Sequence, residues 1–264
     1  RVVARGQGHL VAPDHEIGQF CAELHRVGMR VNRARVQEWL DKTNQDVDIH
    51  QKACREILDR PNLNPGSVDQ LRGILFGEWH LEPKVWTEDT GEPSTEDAAL
   101  REYIIDPHTP SNQRQFIRHV RLYRRAVKLR GTYLLPLQPM PVGVLWPDGR
   151  LRSSWAGHIV VTGRLSSSSR NMQNWVAKLR NIVEASPGNV LVGADLDQAE
   201  LRGSASQSRC RAFLSAFDQK RDPHDMSAAH FFGDRYRNAP GSKDEKNSPK
   251  ARYRRLGKVT NFAS

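Results

Sequence analysis

Apolar positions recur at helical spacing through the first half of the chain. They mark one face of a helix over residues 13–27, and Gly28 ends that helix. A longer helix follows, with Asn32 as its predicted N-cap and Pro61 beyond its end. Another helix covers about residues 111–130. These spacings predict a mainly helical first half.

The second half mixes short apolar runs with turn residues. Residues 134–160 alternate Pro and Gly with such runs, which predicts strands and turns. A helix should follow Pro223, and residues 234–250 read as a polar loop. A last helix begins near Ala251. This half therefore combines strands with helices.

Residues 190–194, Val-Leu-Val-Gly-Ala, lead directly into an acidic segment. Their β-branched content predicts a buried strand that ends on Asp195. A carboxylate at such an edge suits magnesium, which takes one or two protein carboxylates and completes its shell with substrate phosphates. Glu200, at the start of the next predicted helix, lies near the same site. The alternative is a strand followed by an acidic helix N-terminus, which the helix dipole favours.

The charge of the chain indicates a polyanionic partner. Its 264 residues include 40 Lys and Arg against 30 Asp and Glu, a formal net charge of +10. One face of the 111–130 helix is basic, at Arg114, Arg118, Arg121, Arg125 and Lys128. No acidic residue lies between Arg114 and Arg130, so the helix cannot neutralise this face itself. Phosphate contact is favoured over a solvated basic face.

Cysteine content and hydropathy narrow the class of protein. Cys21, Cys54 and Cys210 are far apart and include no Cys-x-x-Cys pair, so neither a disulfide framework nor a zinc site is indicated. No apolar stretch approaches the length of a membrane span, and the N-terminus has no signal-peptide core. We therefore expect a soluble, cytoplasmic protein with no membrane partner.

Three blocks of sequence carry a family resemblance. They are Thr-Gly-Arg-Leu-Ser-Ser-Ser-Ser-Arg-Asn-Met-Gln-Asn at 162–174, Asp-Leu-Asp-Gln-Ala-Glu-Leu-Arg at 195–202, and Arg-Arg-Leu-Gly-Lys-Val-Thr-Asn-Phe at 254–262. In content and order they resemble the polymerase domain of family A DNA polymerases, the DNA polymerase I type. Shorter matches extend the resemblance over about residues 17–262: Asn62-Leu63-Asn64, Asp69-Gln70-Leu71, Ser94-Thr95, and Tyr123-Arg124 through Lys128 to Thr132-Tyr133.

The resemblance implies an α+β fold, part of a right-hand polymerase. Residues 1–28 would begin the palm, 29–133 would form the helical thumb, 134–221 would continue the palm with its antiparallel sheet, and 222–264 would begin the fingers. The implied activity is transfer of a nucleotide from a dNTP to a primer 3′-hydroxyl on a DNA primer-template. The implied setting is the nucleoid of a bacterium or a phage-infected host.

The resemblance also implies a two-magnesium site. Asp195 would bind both ions, the carbonyl of Leu196 would be a further ligand, and Glu200 would be the steric gate that excludes a ribose 2′-hydroxyl. The second metal-binding Asp belongs to a family block, His-Asp-Glu, that this sequence does not contain. We expect a second polypeptide with the remaining fingers and palm to supply it. The alternatives are a shortened or interrupted chain and a catalytically silent DNA-binding subunit.

Nucleotide-binding residues follow from the third block. Arg254 and Lys258 lie at i and i+4, on one helix face, and would bind the γ- and α-phosphates. Phe262 lies one turn further along and would pack against the sugar and base. His224 would contact the β-phosphate, and the alternative is an ordinary histidine at a helix start.

Further residues of the resemblance would contact DNA. The contacts to the minor groove and the primer-template would be Arg164, Asn171, Gln173 and Asn174. Those of the thumb to the duplex backbone would be Asn62, Asn64, Ser94, Thr95, Arg124 and Lys128. Arg202 would support the catalytic site. The chain departs from the family at Leu196, Asp197 and Ala199, where Tyr, Ser and Ile are usual. Ala199, beside the steric gate, is smaller than usual, which puts fidelity and sugar discrimination in doubt.

Overall fold

The computed structural model describes residues 11–245 and 248–262, except for the side chains of Val11 and Phe262. The chain forms two compact units, the first ending at Leu191 and the second beginning at Val192. Helices dominate both, and short antiparallel strands occur in the first, as the predicted α+β class requires. The predicted palm, thumb and fingers boundaries do not coincide with this division and stay a prediction.

The described part of the first unit, residues 11–191, contains five α-helices: α1 (Val11–Val27), α2 (Arg33–Leu58), α3 (Val68–Arg72), α4 (Asp97–Ile105) and α5 (Ser111–Lys128). Turns of π-helix follow α3 and α5, at Gly73–Glu78 and Leu129–Leu134, and Ala177–Ile182 is a 3₁₀ helix. The predictions for α1, α2 and α5 are confirmed. The side chain of Asn32 caps α2 by accepting the N–H of Arg35 at 3.0 Å.

Helix α2 connects two hydrophobic cores. Near its start Val36 and Leu40 pack into a cluster with Leu134, Leu151 and Ile182. The second cluster includes a residue near the end of α2 and residues of α3, α4 and α5: Cys54, Leu71, Tyr103 and Phe116. Because a 26-residue helix is about 39 Å long, one element can serve both cores. Burial raises the pKa of the Cys54 thiol to about 12.

Two small antiparallel sheets join distant parts of this unit. Strand β1 (Met29–Arg30) pairs with β2 (Arg150–Leu151), and β3 (Ser154–Ala156) pairs with β4 (Ser166–Ser168). Gly28 precedes β1 with φ +59°, and a Cβ there would lie 2.8 Å from the carbonyl oxygen of Leu151. Both the backbone conformation and the close approach of the chains therefore require glycine.

The second unit is helical, with α6 (Ala199–Ser208), α7 (Arg211–Asp218), α8 (Pro223–Phe232), α9 (Asp234–Arg237) and α10 (Pro249–Phe262). Helix α8 follows Pro223 as predicted. The predicted polar loop over 234–250 contains the short α9, and α10 begins at Pro249, slightly earlier than expected. None of the helices in the described ranges combines the length and the apolar character that crossing a membrane requires.

The prediction of a buried strand over residues 190–194 is wrong. The segment has no regular secondary structure, and Val190, Val192 and Leu196 are 82%, 87% and 82% exposed. A strand needs a neighbour to hydrogen-bond with, and β-branched residues alone do not provide one. Within residues 11–245 and 248–262, no segment forms a ladder with this run.

Candidate functional site

Asp195 and Leu196 lie in the irregular segment that precedes α6, and both are exposed. Gln198, the residue before the helix, has a left-handed backbone with φ 54°. Glu200 stands in the first turn of α6, where the sequence predicted a helix start. The carboxylates of Asp195 and Glu200 are therefore carried by one short stretch, on either side of Gln198.

Arg202 connects this acidic segment to helix α7. Its Nε donates to the carbonyl oxygen of Asp197 at 3.1 Å, and its guanidinium lies 4.4 Å from the ring centre of Phe217. The cation–π contact and the hydrogen bond together restrict the backbone just after Asp195. The supporting role expected of Arg202 at the catalytic site stays a prediction.

The donor types around Asp195 suit magnesium. Carboxylates at Asp195 and Asp197 and the carbonyl of Leu196 are hard oxygen ligands, which this ion prefers. The described residues contain no group of three or more His, Cys, Asp or Glu that could hold a metal ion. Magnesium usually keeps waters and substrate phosphates in its shell. The local donors thus fit part of a magnesium shell and do not form a closed cage.

Arg254 and Lys258 lie on α10, which packs against α8. Gly257 permits this packing, since a Cβ there would lie 2.5 Å from the carbonyl oxygen of His224 and 2.8 Å from the amide nitrogen of Ala228. The Nε of Arg254 donates to Asp222 at 2.6 Å, while Lys258 is exposed. The two cations predicted to bind phosphate are thus carried by a helix fixed on α8.

His224 is buried at the start of α8, 3% exposed. Its Nδ1 lies 3.0 Å from the side-chain amide nitrogen of Asn261 on α10. Burial lowers the pKa of the His224 imidazole, and the charges of Arg254 and Lys258 lower it further against the opposing effect of nearby carboxylates. The structure therefore places His224 inside the contact between α8 and α10, the helix that carries Arg254 and Lys258.

Two carboxylates of this region were not singled out from the sequence. Asp222 caps α8 ahead of a proline at the first helical position, a pattern that is readable from sequence. Asp225 accepts hydrogen bonds from Tyr236 at 2.5 Å and from Lys243 at 2.6 Å. The contact of Lys243 with Asp225 joins the polar segment after α9 to α8. The two residues are far apart in the sequence, and no local sequence pattern predicts their contact.

The predicted thumb contacts differ in exposure. Asn62, Asn64 and Lys128 are exposed, whereas Ser94 and Thr95 are only 3% and 4% exposed. The side-chain oxygen of Asn64 accepts the N–H of Gly66 at 2.9 Å and shapes its own loop. A DNA duplex could meet the first three side chains directly, while the two hydroxyl residues belong to the interior of this conformation.

Arg124 is largely enclosed. Its Nε donates to the carbonyl of Pro65 at 3.2 Å and its Nη1 to that of Thr95 at 2.6 Å. Its Nη2 is buried without a hydrogen-bond partner among the described residues. Burial lowers the pKa of this guanidinium. Arg124 therefore fastens two predicted DNA-facing loops to α5.

The basic face of α5 is partly neutralised from another helix. Asp97, in the first turn of α4, pairs with Arg121 at 2.8 Å and with Arg125 at 3.0 Å. The bond from Arg121, and then that from Arg125, holds the pKa of this carboxyl well below its usual range. Although α5 has no acidic residue between Arg114 and Lys128, part of its basic face is therefore neutralised by a counter-charge from α4.

The predicted minor-groove residues form a self-supporting turn after β4. Asn171 accepts the backbone N–H groups of Gln173 at 3.0 Å and Asn174 at 3.2 Å. Gln173 in turn donates to the carbonyl of Leu165 at 2.7 Å. These three polar residues and Arg164 are exposed. The arrangement presents several amide side chains from one stretch that hydrogen bonds hold in shape.

This chain is similar in sequence to known proteins. The model of DNA polymerase family A matches residues 33–263. The chain is 31% identical to the thermostable DNA polymerase I of Thermus thermophilus over 224 residues, 82% of this chain and 26% of that protein. It is 34% identical to the thermostable DNA polymerase I of Thermus aquaticus over 227 residues, 83% of this chain and 26% of that protein.

A solved structure shares the fold. It is the POL domain of Pol1 from M. smegmatis, in complex with DNA primer-template and dNTP, with a TM-score of 0.70 and 24% identity. The match covers 92% of this chain and 40% of that one. This chain spans about a quarter of the length of its two curated Thermus relatives. Because the family model covers most of its residues, the chain belongs to DNA polymerase family A.

Proposed function

We propose that this chain takes part in template-directed DNA synthesis, the transfer of a nucleotide from a dNTP to a primer 3′-hydroxyl. One observation carries the proposal: Arg254 and Lys258 lie one turn apart on α10, and Gly257 between them packs against the backbone of His224 and Ala228 in α8. Clustered cations on one helix suit a triphosphate, whose leaving group gains negative charge during transfer. Family membership supports the same activity.

The roles of the site residues follow from this reaction. Arg254 and Lys258 bind the γ- and α-phosphates, and Glu200 excludes a ribose 2′-hydroxyl. Asp195 and the carbonyl of Leu196 would hold Mg²⁺. The bound ions would supply charge stabilisation for the attacking and leaving oxygens. The role of Phe262 against the sugar and base rests on the resemblance alone, since its side chain lies outside the described residues.

The DNA primer-template would lie against the first unit. Residues 29–133 would act as the thumb, 1–28 and 134–221 as the palm, and 222–264 as the first part of the fingers. The exposed amides of the turn after β4 and the exposed Lys128 support a largely sequence-independent contact with the duplex.

We further propose that synthesis needs a second metal-binding carboxylate from outside these 264 residues, which a complementing polypeptide can supply. The exposed apolar run at 190–194 supports this, because an added strand would satisfy its backbone and cover its side chains. A second candidate function is a silent DNA-binding subunit. The exposure of Asp195 in an irregular segment favours that alternative.

Primer extension separates these possibilities. We expect extension by this chain only together with a polypeptide that carries the remaining fingers and the His-Asp-Glu block. Asp195→Ala should abolish extension by this chain together with its complementing polypeptide, and it should leave duplex binding unchanged. Asp234 is an exposed carboxylate on α9, and Asp234→Ala should change neither extension nor binding. Robust extension by this chain alone would refute the need for a partner. Extension that survives Asp195→Ala would favour the silent subunit.

A further inference from the structure

Asp222 uses its two carboxylate oxygens for different contacts. Oδ1 accepts the backbone N–H of His224 at 2.9 Å and so caps α8. Oδ2 accepts the Nε–H of Arg254, on α10, at 2.6 Å. The side chains of Asp222 and Arg254 are 14% and 29% exposed, so water screens their ion pair only in part. The helix cap fixes the direction of the carboxylate that meets Arg254.

This contact occupies one edge of the guanidinium. Within residues 11–245 and 248–262, Arg254 forms its hydrogen bond through Nε, and none through Nη1 or Nη2. An arginine side chain has five N–H donors in one plane, of which four are on the Nη atoms. Holding Nε fixes the plane and leaves those four donors for oxyanions, which guanidinium groups bind in a bidentate manner.

The neighbouring carboxylate is engaged elsewhere. Asp225 lies 3.8 Å from the Nε of Arg254, but it accepts hydrogen bonds from Tyr236 and Lys243. Burial would raise the pKa of Asp222, and the hydrogen bonds from Arg254 and His224 outweigh this, so that its pKa lies below the ordinary value. Asp222 is therefore the charged group that orients Arg254.

We infer that Asp222 is a positioning residue for triphosphate binding, holding Arg254 through Nε so that both Nη groups can grip the phosphate oxygens of an incoming nucleoside triphosphate. This inference rests on the proposed function and adds to it a residue whose negative charge acts on triphosphate binding through Arg254. A carboxylate near a triphosphate also repels it. If Asp222 positions Arg254, neutralising Asp222 weakens triphosphate binding. If its charge mainly repels the triphosphate, neutralising it strengthens binding.

The experiment is calorimetric titration of the full 264-residue chain with inorganic triphosphate at constant ionic strength. Asp222→Asn keeps the helix cap, since Asn caps as well as Asp, but removes the charge that holds Arg254. We expect this variant to bind about tenfold more weakly, the size expected for loss of a charge-assisted hydrogen bond. In an Arg254→Gln background, Asp222→Asn should cause no further loss.

Asp234→Asn is the matched control. It removes the same charge from an exposed position on α9 and should leave the affinity unchanged. Thermal unfolding of each variant verifies folding, and Asp222→Ser, with another capping residue, replaces Asp222→Asn if the latter does not fold. Tighter binding by Asp222→Asn, an equal loss with and without Arg254, or no saturable binding to the wild type would each overturn the inference. The titration contains neither DNA nor a second polypeptide, so a failure of primer extension would leave its result intact.

Discussion

The Nδ1 atoms of His50 on α2 and His119 on α5 lie 3.1 Å apart, and their ring centres are 5.2 Å apart. At this distance one nitrogen must carry a hydrogen and the other must accept it. Two neutral imidazoles can do so, and two imidazolium ions cannot. Burial, and then the charge of His50, lowers the pKa of His119. The contact between α2 and α5 therefore contains a proton-sensitive pair.

This pair predicts a loss of stability at acidic pH. The folded protein binds the His119 proton less tightly than the unfolded chain, so the stabilisation is present above the unfolded pKa of about 6.5 and is lost as pH falls below it. We expect the Tm to fall between about pH 7 and pH 5 more steeply in the wild type than in His119→Gln. His108→Gln, at an exposed position, should behave as the wild type. Parallel curves for wild type and His119→Gln would contradict the prediction.

Gly257 predicts a steric limit on the packing of α10 against α8. In Gly257→Ala the new Cβ would meet the backbone of His224 and Ala228 at 2.5 and 2.8 Å, where no flexible side chain can yield. We expect unfolding of the second unit to become easier by about 1–3 kcal/mol, as for other overpacked sites. The matched control is Gly203→Ala in α6, whose Cβ meets nothing within 4 Å and should stabilise by up to about 1 kcal/mol. Chemical denaturation measures both.

The ion pairs of Asp97 predict that removing its negative charge increases the affinity for DNA. Asp97→Asn releases Arg121 and Arg125 from their ion pairs, so more cations on α5 can meet phosphate. Duplex binding should tighten, and its dependence on log salt should steepen by about 1–2 units. Glu96→Gln removes the same charge from the preceding exposed residue and should have a smaller effect. Equal effects of both variants in fluorescence anisotropy would show that only net charge matters.

Substitution of Arg124 and substitution of Lys128 should have different effects, although both residues are expected to contact DNA. Arg124→Gln removes the bonds to the carbonyls of Pro65 and Thr95, and it should lower the free energy of unfolding by about 1–3 kcal/mol. Lys128→Gln should leave stability within about 0.5 kcal/mol and reduce the salt dependence of duplex binding by about 1 unit. Denaturation and anisotropy at several salt concentrations distinguish them. A stable Arg124→Gln protein would mean that this side chain does not hold the loops.

Local signals in the sequence accounted for much of the fold. Asn32 is the N-cap of α2, Gly28 follows the end of α1, and Pro223 is the first residue of α8. Each of these residues acts on backbone groups only a few residues away, so its effect can be predicted from the local sequence. The ordered blocks around Asp195 and Lys258 identified the family, since their side-chain types and spacing are written directly in the chain. These features need no knowledge of which distant segments meet.

Contacts between distant segments were decided only by the tertiary structure. Asp97 neutralises part of α5 from another helix, and Arg124 turns inward to two loops. The apolar residues 190–194 stay exposed because pairing requires a neighbouring strand. Burial, ion pairing and strand formation each depend on a second element, and a periodicity measured along one element contains no information about what that element packs against.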